Sequence, residues 1–166
     1  MRLLISFCAL IFSGCGATGK FYNELSALEK GGQAEVVIFR KSQLTGAAAC
    51  LIAKIDGKEI GLLGNGGFLR ALVTPGRNSI SMINPYGLSP ITIDLSTTGD
   101  RSTFVEHLSS VSHGMIVPFT SVSFSRSMIE VSSEYALKTL QDLRDSSLKP
   151  SCMAVAAGEE TSPWPR

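Results

Sequence analysis

The sequence predicts a mainly β protein, a small antiparallel β-sandwich or barrel-like domain with one C-terminal helix after the strands. Short runs rich in β-branched residues recur at roughly 8–12-residue spacing, with Gly, Pro and Asn between them. Asp56-Gly57 separates two of these runs, and this dipeptide is the strongest short hairpin signal. After Val131 the apolar residues recur at helical rather than alternating spacing, which predicts the single helix.

The strands follow one another with turn signals between them. Ala34–Arg40 opens the series with consecutive Val, Val, Ile and Phe residues, a composition that favours extended backbone. Turns are expected at Asp56-Gly57, at residues 64–67 and at residues 74–77, where Pro and Gly take the two central positions. The expected strands span residues 34–40, 50–55, 59–63, 68–73, 78–83, 91–95, 103–108, 115–124 and 129–131.

The helix is expected near the C-terminal end of the domain. Four apolar residues recur at the spacing of one helix face: Ala136, Leu137, Leu140 and Leu143. Ser132 or Ser133 can cap its N-terminus. Residues 34–145 are therefore assigned to one β-rich domain. Residues 146–166, dominated by Pro, Gly, Ser and Glu, are assigned to a disordered tail.

Composition limits the function classes. The chain has 166 residues, of which 44% are hydrophobic and 17% charged, so it is long enough for one domain and too apolar for a disordered chain. Fifteen Lys and Arg residues oppose 14 Asp and Glu residues, which gives a net charge of +1. No nucleic-acid partner is therefore expected, because such proteins carry a basic surface.

The N-terminal residues have the layout of an export signal. Met1-Arg2 supplies positive charge, residues 3–12 form an apolar run and Ser13-Gly14 are small, which predicts a signal peptide over residues 1–14. The apolar run falls short of the roughly 20 residues that span a bilayer. Cleavage would remove one base and no acid, so the mature chain would be electrically neutral.

Cys15 follows the small pair directly. Phe12-Ser13-Gly14-Cys15 resembles the bacterial lipobox, whose cysteine becomes the lipidated first residue of the mature protein. We expect a lipid anchor on Cys15 that holds the protein at the membrane. The alternative is an ordinary signal peptide with an incidental cysteine. By resemblance to Gram-negative sorting signals, Gly16 after the cysteine favours the outer membrane, with the domain facing the periplasm.

The connector between anchor and domain is expected over residues 15–33. Phe21, Leu25 and Leu28 recur at helical spacing, and Gly31-Gly32 can end a helix. A short helix and a loose tether are both compatible with this pattern.

Two cysteines remain once the signal peptide and Cys15 are set aside. Cys50 and Cys152 can form a disulfide in an oxidising compartment, closing a loop that stabilises by at most about 4–5 kcal/mol. The alternative is a buried free Cys50 and an unpaired Cys152 in the tail. The sequence leaves both possibilities open, because the distance between the residues cannot be read from it.

No catalytic, cofactor-binding or metal-binding residue is assigned. His107 and His113 are the two histidines, and neither stands in a metal-binding motif. Residues 64–67 precede a strand and lack the Lys-Ser/Thr pair of a phosphate-binding loop. Two further groups could contact an anionic lipid or a sugar, although a solvated sheet face explains the cations more simply and a core position explains Phe68 more simply. These are the cations Lys54, Lys58, Arg70 and Arg77, and the aromatic residues Phe68, Tyr86 and Trp164.

The order of the first hairpins resembles a known family. Residues 34–40 (AEVVIFR), 55–61 (IDGKEIG), the Gly66-Gly67-Phe68 turn and Pro75-Gly76-Arg77 follow the pattern of small exported bacterial proteins, often lipoproteins, with domain of unknown function 2846. The resemblance covers residues 34–95. It implies a small β-rich fold and no reaction, ligand or catalytic residues.

These features together predict a lipid-anchored bacterial cell-envelope protein that acts as a non-catalytic binding or assembly module. Its expected partners are the membrane, through the lipid on Cys15, and an envelope protein or cell-wall component. One alternative is a sandwich that binds glycan or peptidoglycan through exposed aromatic residues. A less favoured alternative is a hydrolase whose triad is assembled around His107 or His113.

Overall fold

The computed structural model describes residues 16–44, 49–84, 89–116 and 119–147, and at residues 112–116, 119–122 and 124 the backbone alone. These residues form nine strands, one α-helix and one turn of 3-10 helix, Tyr22–Glu24. The helix, α1, is Ser133–Leu140. The strands β1 to β9 are Ala34–Arg40, Leu51–Ile55, Lys58–Leu63, Gly67–Val73, Gly76–Ile83, Ile91–Thr97, Ser102–Ile116, Phe119–Val131 and Arg144–Asp145.

The strands form two sheets that pack face to face. The first sheet has the order β8-β7-β1-β4-β9 and the second has the order β3-β2-β5-β6. Neighbours in the second sheet are antiparallel, whereas β1 pairs in parallel with β7 and β4 in parallel with β9. The parallel β1–β7 pair is connected through β2 to β6, which provide the long connection that a parallel pair requires. The predicted mainly β sandwich with its helix after the main strands is confirmed.

Strand β1 is the centre of the molecule. All seven of its residues are buried. Val36 and Ile38 belong to the core between the two sheets, and Val37 and Phe39 belong to a second core on the outer face of the first sheet. Alternate residues of a strand point to opposite faces, so this one strand supplies both cores. Burial of each such side chain stabilises the fold by about 1.5–3 kcal/mol.

The helix covers the outer face of the first sheet. Ser132 caps it, because its Oγ accepts a hydrogen bond from the backbone N–H of Tyr135 at 3.4 Å. Ala136 and Leu140 are buried, as is Leu143 just beyond the helix, whereas Leu137 is 45% exposed. The predicted apolar face is therefore correct except at Leu137.

The turn at Asp56-Gly57 joins β2 to β3 as expected. Asp56 has φ +50° and Gly57 has φ +79°, which is the pair of positive φ values that a type I′ hairpin turn requires. The carboxylate of Asp56 also accepts a hydrogen bond from the backbone N–H of Ser79 at 2.8 Å. This bond ties the turn to β5, the neighbouring strand.

Residues 16–33 lie against the first sheet and form one helical turn rather than a longer helix. The guanidinium of Arg144 lies over the ring of Phe21, 4.1 Å from the centroid of that ring. The ring of Tyr22 contacts the ring of Phe68 edge-on, with the two centroids 5.3 Å apart. Two consecutive side chains therefore both contact the body of the protein. A regular helix would turn one of them away, which explains why the helical spacing does not persist.

The C-terminal part of the sheet differs from the expected strands. Met115 and Ile116 end β7, and β8 begins at Phe119 and includes residues 129–131, so three expected strands form two long ones. Beyond β9, Ser146 is buried, and its backbone N–H donates to the carbonyl of Phe68 at 2.9 Å. Ser146 therefore belongs to the domain. The rest of the expected tail, from residue 148, lies outside the described residues.

Candidate functional site

The longest hairpin of the fold extends past the sheet that carries it. β1 pairs with β7 from Glu35 and Ser102 to Phe39 and Glu106. From His107 to Ile116, β7 pairs with β8 alone among the described strands. At about 3.3 Å per residue this part extends for roughly 30 Å. We call it the arm: residues 107–116 of β7 and their partners, residues 119–128 of β8.

The base of the arm is held by polar contacts to the body. Arg126 donates from Nη2 to the carbonyl of Ser89 at 2.9 Å, and Ser109 donates from Oγ to Oε1 of Gln43 at 2.9 Å. Ser109 and Arg126 are register partners in the hairpin. The arm is therefore fixed at this pair and supported beyond it by its own ladder.

Strand β8 forms one edge of the first sheet. Its only described strand neighbour is β7, so its other side carries no ladder in the part of the chain that the structure describes. Serine alternates with other residues at positions 121, 123, 125 and 127, and Ser123, Ser125 and Ser127 are exposed. An exposed edge strand presents backbone N–H and C=O groups that can pair with another extended chain. β8 is therefore a candidate binding element.

A buried histidine lies where the arm leaves the sheet. His107 is 2% exposed, and neither of its ring nitrogens has a hydrogen-bond partner among the described atoms. Burial lowers the pKa of His107 to about 4, and the positive charges of Arg40 and Arg126 act in the same direction. His107 is therefore neutral at physiological pH. The hydroxyl partner that a Ser–His catalytic pair would need does not contact it in the described region.

An ionic cluster lies on the outer face of the first sheet. Glu35, on β1, accepts from Nε of Arg70 at 2.7 Å and from Oγ of Ser102 at 2.7 Å, and the ammonium of Lys30 lies 3.5 Å from its Oε2. Burial raises the pKa of Glu35, but the hydrogen bonds from Ser102 and Arg70 and the nearby positive charges outweigh it, so that the pKa is lowered. Arg70 also donates to the carbonyl of Ser26 at 3.0 Å.

This Glu35 cluster opens onto a groove of about 550 Å³ between the helix and residues 22–30. The guanidinium of Arg70 and the ammonium of Lys30 in the groove both bind the carboxylate of Glu35. Their geometry therefore fastens residues 16–33 to the sheet, and a ligand would have to break an existing ion pair to use them.

A second cluster joins β7 to the helix. Tyr135 donates from its hydroxyl to Oε2 of the buried Glu106 at 2.8 Å, and Lys41 donates to the same hydroxyl and lies 3.3 Å from Oε1 of Glu106. The hydrogen bond to Tyr135 is the largest influence on the pKa of Lys41 and raises it; burial lowers it, but the hydrogen bond and the charge of Glu106 add to the effect of Tyr135, so that the pKa is raised. The amine is therefore held as a cation, which disfavours a role for Lys41 as a nucleophile.

The cysteines assigned from sequence lie mostly outside the described residues. Cys50 is buried and disulfide-bonded. Cys15 and Cys152 fall outside the described part of the chain, so the lipid on Cys15 and the pairing of Cys50 with Cys152 stay predictions. Within the described residues no helix is long and apolar enough to cross a membrane.

The cations considered from sequence do not form one surface. Arg70 is engaged by Glu35 on the first sheet, whereas Arg77 on β5 of the second sheet binds the carboxylate of Asp94 at 2.7 Å. Lys54 and Lys58 lie on β2 and β3 of the second sheet. In the described residues no group of three or more His, Cys, Asp or Glu side chains could hold a metal ion.

Of the three aromatic residues considered for sugar binding, only Phe68 lies in the described part of the chain. Phe68 is fully buried in the outer core. Tyr86 and Trp164 lie outside the described residues, as does the side chain of His113, whose backbone pairs with Val122. Tyr135 is the one exposed aromatic side chain that the structure describes, and it belongs to the Glu106 cluster.

Sequence reasoning missed the arm and both ionic clusters. The alternation of serine along β8 was the available signal for the arm, since a period of two predicts a strand with two different faces. Comparison with protein-family models, curated proteins and solved structures gives no match to this chain. The resemblance to the exported-protein family therefore stays a prediction.

Proposed function

We propose that the protein is a lipid-anchored component of a bacterial cell envelope whose β-sandwich is a non-catalytic binding or assembly module. The observation that carries the proposal is the long edge of β8 on the arm, which has no ladder partner other than β7 among the described residues and which exposes Ser123, Ser125 and Ser127. Natural proteins usually keep edge strands short, cover them with another element, or place Lys or Pro on them. Phe119–Val131 contains neither Lys nor Pro.

The kind of partner follows from the chemistry of the edge. Backbone N–H and C=O groups bind an extended peptide by adding it to the sheet as a further strand. The exposed serines at 123, 125 and 127 add short hydroxyl groups without charge. An extended segment of another envelope protein fits such an edge better than a polyanion does.

Removing the arm tests the module. Because Ser109 and Arg126 are register partners, Asn-Gly can replace residues 110–125 and close the hairpin as a two-residue turn. A photocrosslinking amino acid at Ser127, near the base, should give a crosslinked partner in intact cells that is lost in the shortened variant. The same group at Lys58, the first residue of β3 in the second sheet, is the control.

Two results would contradict the assembly role. One is an equal crosslinking pattern in the full and shortened proteins. The other is a pattern at Lys58 that matches the one at Ser127, since this would indicate random collision rather than binding at the edge.

The anchor is tested separately. Cys15→Ala removes the only sulfur that the lipobox-like motif offers for acylation, so membrane partitioning should be lost. Metabolic labelling with a fatty acid and detergent phase separation measure this directly. Unchanged labelling and partitioning of Cys15→Ala would show that the protein is held, if at all, by something else.

A further inference from the structure

Serine opposite serine is a cross-strand pair that the arm already contains. Ser110 of β7 lies opposite Ser125 of β8, and the two hydroxyl oxygens share a hydrogen bond of 2.7 Å. Ser112 and Ser123 are the next register partners on the same face, two residues further out. Hydroxyl pairs of this kind stabilise an antiparallel ladder. The serine face of β8 is therefore suited to pair with a second serine-bearing strand, on the side that carries no ladder in the described chain.

The arm is a ribbon of two strands. It continues for roughly 30 Å beyond the last pairing of β7 with β1, and no other described strand lies on its β8 side. A two-stranded hairpin is only marginally stable in water, whereas three or more strands with an apolar face are stable. Val111 and Phe124 are register partners on the face opposite the serines. A further strand beside β8 would therefore stabilise the arm.

The arm carries little charge that would keep a second arm away. Between Ser109 and Met128, Arg126 is the only Lys, Arg, Asp or Glu residue of the sequence. It lies at the base of the arm, where its guanidinium donates to the carbonyl of Ser89 at 2.9 Å. Charged side chains on an edge strand are one of the means by which natural proteins prevent pairing between edges. Two edges of such low charge can therefore approach each other.

We infer that the partner strand of the arm is β8 of a second copy of this chain, paired antiparallel about a two-fold axis at Phe124. In this register Ser121 of each copy lies opposite Ser127 of the other, and Ser123 lies opposite Ser125. No other register of β8 with itself places all four serines opposite serines. The inference rests on the proposed function and names its partner. The first sheets of the two copies join through their arms into one continuous sheet.

This register also accounts for an exposed apolar side chain and for the two charges of β8. Ile129 is 41% exposed, and it lies opposite Phe119 of the second copy, an aromatic and β-branched pair that favours an antiparallel ladder. The Arg126 residues of the two copies are four positions apart, roughly 13 Å along the strand, which exceeds the screening length of about 8 Å. Glu130 follows the paired residues 119–129. No two like charges therefore lie opposite each other.

Cysteine crosslinking in intact cells tests the register. Two full-length variants with different tags, Ser121→Cys and Ser127→Cys, are produced together, oxidised and separated without reductant. We expect a disulfide-linked dimer that carries both tags, because these two positions lie opposite each other. Neither variant produced alone should give a linked dimer. Its two cysteines would be six positions apart, roughly 20 Å along the strand, and a disulfide needs Cα atoms within about 7 Å.

The matched control is Ser121→Cys produced with Ser123→Cys, since these positions are four residues apart in the dimer. Absence of the linked dimer from Ser121→Cys with Ser127→Cys, or equal linking in the control, would overturn the inference. If the photocrosslinker at Ser127 captures only proteins other than this chain, and does so through the arm, the inference fails and the proposed function stands. If it captures nothing that depends on the arm, the proposed function fails, so the two failures are distinguishable.

Charge substitution tests the same pairing without a covalent link. Lysine at both Ser123 and Ser125 places like charges directly opposite in the dimer, and glutamate at both positions does the same. Sedimentation of the full-length protein in detergent should show the dissociation constant of the dimer raised about tenfold or more in each double variant. A mixture of the two double variants should restore the dimer, because opposite charges then face each other. Unchanged dimerisation of the lysine variant, or a mixture that stays monomeric while each variant keeps its β circular dichroism, would contradict the register.

Discussion

Strand β1 and the arm are both built from extended backbone, yet they differ in what surrounds them. β1 has a strand on each side and a core on each face, and all seven of its residues are buried. The arm has one ladder and no further strand among the described residues, and its β8 side exposes Ser123, Ser125 and Ser127. The difference separates two tasks: β1 supplies stability, whereas the arm supplies a surface that can be used for binding.

The two ionic clusters follow the same division. Glu35 on β1 and Glu106 on β7, the strand next to β1, bind partners from residues 16–33, from β4 and from the helix. Both carboxylates therefore fasten covering segments to the central strands. On the arm, Ser110 and Ser125 instead share a hydrogen bond of 2.7 Å across the hairpin at the surface, which joins the two strands of the arm to each other.

The largest expected effect is at the centre of β1. Phe39 is fully buried between the helix and the first sheet, so Phe39→Ala removes apolar contacts and leaves a cavity. We expect the free energy of unfolding to fall by about 3–5 kcal/mol. Urea unfolding followed by circular dichroism measures it. A loss below about 1 kcal/mol would contradict the central role assigned to β1.

A pH effect is expected where β7 passes from sheet to arm. The pKa of His107 is about 4 in the folded protein against an ordinary value of 6.5, so the unfolded chain binds the extra proton between these values. The free energy of unfolding is therefore unaffected by His107 above pH 6.5. It falls by about 3 kcal/mol as the pH is lowered from 6.5 to about 4, because the unfolded chain takes up a proton that the folded protein does not.

His107→Leu should remove this pH dependence. The variant should also keep its stability near neutral pH, because no hydrogen bond of the His107 ring is lost among the described atoms. Denaturant unfolding at a series of pH values tests both statements. Loss of stability between pH 6.5 and 4 that is as steep in His107→Leu as in the original protein would assign the effect to another group. Glu35→Gln is the control. Because the pKa of Glu35 is lowered, this residue changes the pH dependence of the free energy of unfolding at more acidic pH than His107 does.

The sequence predicts the strands of the sandwich body well and the arm poorly, for a physical reason. β1 to β6 are bounded by turn residues such as Asp56-Gly57 and carry β-branched side chains, which are local signals. The serine-rich part of β7 and β8 has no such composition, and its extended form depends on pairing between strands. The Glu35–Arg70 and Glu106–Tyr135 contacts join residues 35 and 29 positions apart, so no local pattern announces them.

The smallest expected effect compares the same substitution in the two regions. Val37→Ala on β1 removes a fully buried side chain from the outer core and should cost about 2 kcal/mol. Val111→Ala on the arm removes a side chain that is only partly buried and should cost less than about 1 kcal/mol, since less apolar area returns to water. Parallel urea titrations measure the difference. Equal losses would mean that the arm is packed as tightly as the centre of the sheet, and its edge would then be a structural element rather than a binding surface.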